Sequence, residues 1–199
     1  ALHFFREASQ LYFARHGRGG DPAKKALLEQ NVALALLNTG ALTESIEHFD
    51  AALAHLGVRV PRGRTAAAAR FAVDLACLFG QLYLGLRRRR RVADWAREQT
   101  ICDIWLNRGR AEITSDPRRL FFDTVAAFRR FNEIDAARIE NASATYDSAA
   151  AVFCYSGISF NVSRKAIGNA KRLVRPGNVR EEFVVRSMDF IHHYLQGDW

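Results

Sequence analysis

Apolar residues recur at spacings of three and four along almost the whole chain, a period that predicts helix. Phe4, Phe5, Ala8, Leu11 and Tyr12 draw one stripe over residues 4–16, and Gly17-Arg18-Gly19-Gly20 breaks it. Asp21-Pro22 then opens a helix over 23–38: Asp accepts from first-turn amides, and Pro has no amide to leave unpaired. Gly40 stops it, and a third helix over 43–56 stops at Gly57. So short a connection forces the two helices to pack antiparallel. Past a loop holding Pro61 and Gly63, a long helix over 65–86 turns Phe71, Leu75, Leu78, Phe79 and Leu82 inward. The arginines at 87–91 interrupt or extend it. A helix over 92–113 carries Trp95, Ile101, Ile104 and Trp105, and Asp116-Pro117 repeats the start signal for 118–131. Helices over 134–155, 159–174 and 179–195 complete the chain, with breaks at Gly157 and Pro176-Gly177. No segment alternates as a strand does. The expected class is all-α, built of antiparallel helix pairs laid end to end.

Residues 29–57 resemble a tetratricopeptide repeat. Such a repeat needs small residues where its two helices cross and bulky ones beside them. Ala33 takes the small position of the first helix, Leu36 its bulky partner, Gly40 the turn and Leu42 the position after it. Phe49 takes the aromatic position and Ala52 the second small one. Ser45 stands where the pattern prefers Ala, and Gly57 where it usually has Pro. Ser156-Gly157-Ile158 resembles a degenerate repeat turn. The resemblance implies a right-handed superhelix of helix pairs presenting a concave face to a protein or peptide. In texture the chain is similar to helical segments of large bacterial signalling proteins that join a nucleotide-binding switch to a cyclase or kinase. That likeness implies a non-catalytic, cytoplasmic scaffold module whose partners are proteins or neighbouring domains of the same chain. Residues 1–199 then form a single helical-repeat domain, with a sub-boundary at 57–65. A start without Met and an end at Gly-Asp-Trp are read as cuts in a longer polypeptide.

Charge adds an alternative. Lysine and arginine total 29 against 21 acids, a net charge of +8. The densest feature is Arg87, Arg88, Arg89, Arg90 and Arg91, with only Asp94 and Glu98 close downstream. It is a solvated corner or a docking point for an anionic partner. With Arg62, Arg64, Arg118 and Arg119 it supports a second reading as a nucleic-acid-binding module, although base-stacking aromatics beside it are few. A third reading, a helical ligand sensor, requires an enclosed pocket with convergent polar groups.

Other chemistry finds little footing. Gly17-Arg18-Gly19-Gly20-Asp21 lacks the Gly-Lys-Ser/Thr of a phosphate loop. His48 and His55 are seven apart and His192-His193 adjacent, so neither pair meets on one ion. No metal, cofactor or catalytic residue is assigned. Glu181 and Glu182 suit the first turn of a helix capped by Asn178. Cys77, Cys102 and Cys154 read as buried thiols of a reducing compartment. No signal peptide and no membrane span are expected. Asn38, Arg70 and Arg108 are examples of polar residues for the concave face.

Overall fold

In the computed structural model, residues 2–61, 63–86 and 89–197 are described. Among them lie nine α-helices and no strand: α1 Leu2–His16, α2 Pro22–Asn38, α3 Leu42–His55, α4 Arg64–Tyr83, α5 Trp95–Ser115, α6 Pro117–Asn132, α7 Ala142–Tyr155, α8 Phe160–Leu173 and α9 Val179–Gln196. The start signals act as the sequence suggests. Asp21 Oδ1 accepts from the Ala23 amide at 2.9 Å, Asp116 Oδ1 from Arg119 at 3.0 Å, and Asn178 Oδ1 from Glu181 at 3.2 Å.

The chain divides into two compact units, residues 1–66 with 96–120 and residues 67–95 with 121–199. In the first unit α2 and α3 form the tightest hairpin. Gly40 takes φ +80°, a left-handed turn open to glycine without strain. Ala33, Phe49 and Ala52 have no accessible surface, and α5 adds Ile101 and Ile104 to their core. Arg97 of α5 donates through Nε to the Leu56 carbonyl at 3.1 Å, holding the end of α3. Below that contact, Arg108 is almost wholly buried, paired with Asp50 at 3.0 Å and Glu112 at 3.3 Å; Arg119 also bonds both acids. Arg108, expected to line an open face, is therefore a member of a buried ion network, where desolvation demands several partners at once.

The second unit contains a hairpin of the same kind, α7 with α8, and α9 packs on both. In each hairpin a serine of the second helix donates to a carbonyl of the first: Ser45 Oγ to Ala33 at 2.8 Å, and Ser163 Oγ to Ala150 at 3.0 Å. The correspondence extends along both helices. Leu36 and Gly40 stand where Phe153 and Gly157 stand after Ala150, and Phe49 and Ala52 where Ile167 and Ala170 stand after Ser163. All of these except the two turn glycines are buried. A serine replaces alanine here without loss because its hydroxyl is small and reaches a carbonyl across the crossing.

One expectation about α4 is corrected. Its buried residues are Asp74, Leu78 and Gln81, while Phe79 is 41% exposed and stacks on Tyr83 at 5.4 Å. The reason is electrostatic: Asp74 takes Arg70 at 2.9 Å and Arg129 of α6 at 2.9 Å, and that pairing turns the acid inward. By length and composition alone α4 reaches a mean hydropathy of 1.2 over 18 residues, a weak signal that leaves the expectation of no span as it was. Of the cysteines, Cys102 and Cys154 are buried and Cys77 is exposed.

The hairpin geometry yields a prediction. Ser45→Ala removes one bond to a carbonyl that also serves its own helix, and should cost about 1 kcal/mol. Ala52→Leu must force the helices apart, and should cost about 2–3 kcal/mol or more. Urea denaturation of both variants ranks them, and Ala52→Leu should be the worse.

Candidate functional site

The helix α4 ends at Tyr83, before the arginine run, and the described part of the run, Arg89–Arg91, is irregular. Arg87 and Arg88, like Arg62, lie outside the described residues. The Arg90 amide donates to the Glu133 carbonyl at 2.7 Å, just past the end of α6, which anchors the segment there. Helix-terminal carbonyls lack intrahelical partners, and an incoming amide satisfies this one.

Anchored in this way, Arg89 and Arg90 border a pocket of about 470 Å³ within the second unit. The C-terminal end of α6 supplies Asn132 and Glu133, α7 supplies Tyr146, and the last turn of α8 supplies Asn169 and Arg172. Trp95 forms a further wall, with the Arg138 guanidinium 5.1 Å from its ring centre. The lining acids are engaged already. Glu133 Oε1 accepts from Arg129 at 2.9 Å and from Gln81 at 3.3 Å, and Asp135 lies 3.6 Å from Arg138. Arg89 and Arg172 have no carboxylate partner among the described residues; Arg172 donates only to the side-chain oxygen of Asn169. The Asn132 oxygen accepts from the Tyr146 hydroxyl at 3.1 Å, while its buried Nδ2 has no partner. An acceptor reaching that amide would relieve a cost of about 1–3 kcal/mol. Among the described residues no Ser, Cys or His lines the pocket.

A narrower neighbouring cleft of about 90 Å³ holds Arg175 and Glu181. Burial pushes the Glu181 carboxyl up, but hydrogen bonds from Arg175 outweigh it and leave the group below its ordinary value. Arg175 contributes its guanidinium at 2.7 Å and its amide at 3.0 Å.

The other singled-out residues are placed as follows. Ala33, Leu36, Ser45, Phe49 and Ala52 are buried in the first hairpin and Gly40 forms its turn, so they pack and reach no ligand. Arg91 and Asn38 are exposed, and Arg70 is paired with Asp74. His48 bonds Glu29 at 2.6 Å. His192 is buried with Nδ1 3.1 Å from Ser163 Oγ. Because the Ser163 hydroxyl points at Ala150, Nδ1 of His192 is the donor, and burial lowers its pKa and keeps the ring neutral. No group of His, Cys, Asp and Glu suited to a metal occurs among the described residues. Trp95 was legible as an aromatic beside the arginine run, while Asn132, Asn169 and Arg172 escaped the sequence reading. Asn169 and Arg172 lie three apart on α8, the spacing of one helix face, but nothing in sequence brings that face to residue 89.

Comparison of the chain with protein-family models, curated proteins and solved structures found no match.

One acid in this unit stands outside any pairing. Asp147 of α7 is buried, its Oδ1 has no partner, and burial raises its pKa from 3.8 to about 7. A carboxyl raised in the folded state binds a proton there that the unfolded chain has released. Stability therefore falls as pH rises between those two values. Asp147→Asn should match the wild type near pH 3.5 and exceed it above pH 7, by on the order of 3 kcal/mol. Thermal melts of the two proteins across that range test it; parallel curves would mean that the carboxyl is solvated.

Proposed function

We propose that this chain is a non-catalytic protein-interaction module of tetratricopeptide-like hairpins, serving as a scaffold in a larger intracellular signalling protein. The hairpins α2–α3 and α7–α8 support the repeat reading through their shared serine-to-carbonyl bond and shared burial pattern. Repeats of this type stack into a right-handed superhelix, the arrangement expected of the parent protein.

The observation that carries the reading is the second face of α9. Its inner face, Val185, Met188 and His192, is buried against α7 and α8. At 100° per residue, Val179, Phe183, Phe190 and Tyr194 fall on the opposite side in one narrow stripe. They are 76%, 70%, 69% and 52% exposed. A helix apolar on opposite sides is built to be packed from both. Since the stripe runs along the helix axis, its complement is another amphipathic helix, from a partner protein or a neighbouring domain.

Phe183→Glu with Phe190→Glu removes the stripe and leaves the inner face intact. Nuclease-treated capture from source-cell lysate should return a helical partner with the wild type, and at least about tenfold less with the double variant. Equal capture by both proteins would sink this reading. Material lost on nuclease treatment would instead favour nucleic-acid binding, with a steep dependence on salt.

A further inference from the structure

The pocket beside Arg89 restricts what can fill it, independently of the α9 stripe. Its volume of about 470 Å³ is that of a site for one small organic ligand. Its cations are all arginines, at positions 89, 90 and 172. Of the two acids in its lining, Glu133 accepts from Arg129 and Gln81 and Asp135 lies 3.6 Å from Arg138, and neither is paired with Arg89 or Arg172. The backbone bond from Arg90 to Glu133 keeps the arginine segment at the pocket, which a loose solvated loop would not do. Guanidinium is a planar fork of donors that matches oxyanions in pairs of bonds. A carboxylate offers two oxygens and one charge. A terminal phosphate offers three oxygens and nearly two charges, the better match to several guanidiniums. Beside the cations, Trp95 and Tyr146 provide aromatic wall.

We propose that this pocket binds a small phosphorylated metabolite of mononucleotide size, with its phosphate on Arg89 and Arg172 and its flat ring against Trp95. The module then reads a soluble ligand at a site separate from its helix-docking surface. A volume of this size suits one compact ligand, and an acidic peptide is the competing occupant that the titration separates from it.

Isothermal titration calorimetry of the full chain tests this with adenosine, guanosine and cytidine monophosphates, inorganic phosphate, unphosphorylated adenosine and a poly-glutamate peptide. At least one monophosphate should bind at micromolar to submillimolar concentration. Arg89→Gln and Arg172→Gln should each weaken it about tenfold, and loss of the phosphate should weaken it more. Trp95→Leu should weaken the monophosphate but leave inorganic phosphate unchanged. Arg186→Gln, on the exposed side of α9, should change nothing and controls for general charge. Circular dichroism confirms that each variant is folded. The proposal is overturned if no monophosphate binds at millimolar concentration. It is equally overturned if binding is the same in the Arg89 and Arg172 variants, or if the peptide binds more tightly than every monophosphate.

Discussion

In two hairpins of this protein the helices cross closely enough for a serine hydroxyl of one to reach a backbone carbonyl of the other. Ala33 against Ser45 sets that distance in one hairpin, and Ala150 against Ser163 sets it in the other. Close crossing brings backbone near backbone, and a serine hydroxyl then finds a carbonyl across the gap. The larger residues Leu36, Phe49, Phe153 and Ile167 fill the space on either side, all of them buried. Core positions for α5 in one unit and for α9 in the other are presented by the hairpins so formed.

Buried polar groups tell how each unit tolerates its charge. Arg108 and Glu112 are buried together with Asp50 and Arg119, so each charge meets more than one opposite. Asp74 is treated in the same way by Arg70 and Arg129. Asp147 is not, and only protonation spares it the desolvation cost, which is why its pKa rises to about 7. His192 solves the opposite problem by staying neutral and donating to Ser163.

The pocket exists because several irregular pieces end at one place. The last turns of α6 and α8 stop beside it, and the segment after α4 is tied to the carbonyl that α6 leaves open. Helix ends carry unpaired backbone groups and tolerate arginine and asparagine better than helix middles do. A polar pocket at such a junction is therefore compatible with apolar hairpins a few residues away. The outer stripe of α9 differs from it: its exposed residues Val179, Phe183, Phe190 and Tyr194 are apolar and lie on one regular helix.

Sequence alone determined the local events. Helix period, Asp-Pro and Asn starts and glycine stops are short-range physics, and α2, α3, α6, α8 and α9 lie within a residue or so of where those signals put them. The small–large spacing around Ala33, Gly40, Phe49 and Ala52 marked a close hairpin for the same reason, since it depends on contacts within thirty residues. Tertiary structure decided what depends on distant partners. Asp74 turned inward and Phe79 outward because Arg129, far along the chain, pairs with the acid. Arg108 was drawn into a core by Asp50 and Glu112, against the ordinary preference of arginine for water. Arg89 and Arg172 line one pocket where a backbone bond ties Arg90 to Glu133, and backbone bonds leave no mark in side-chain identity.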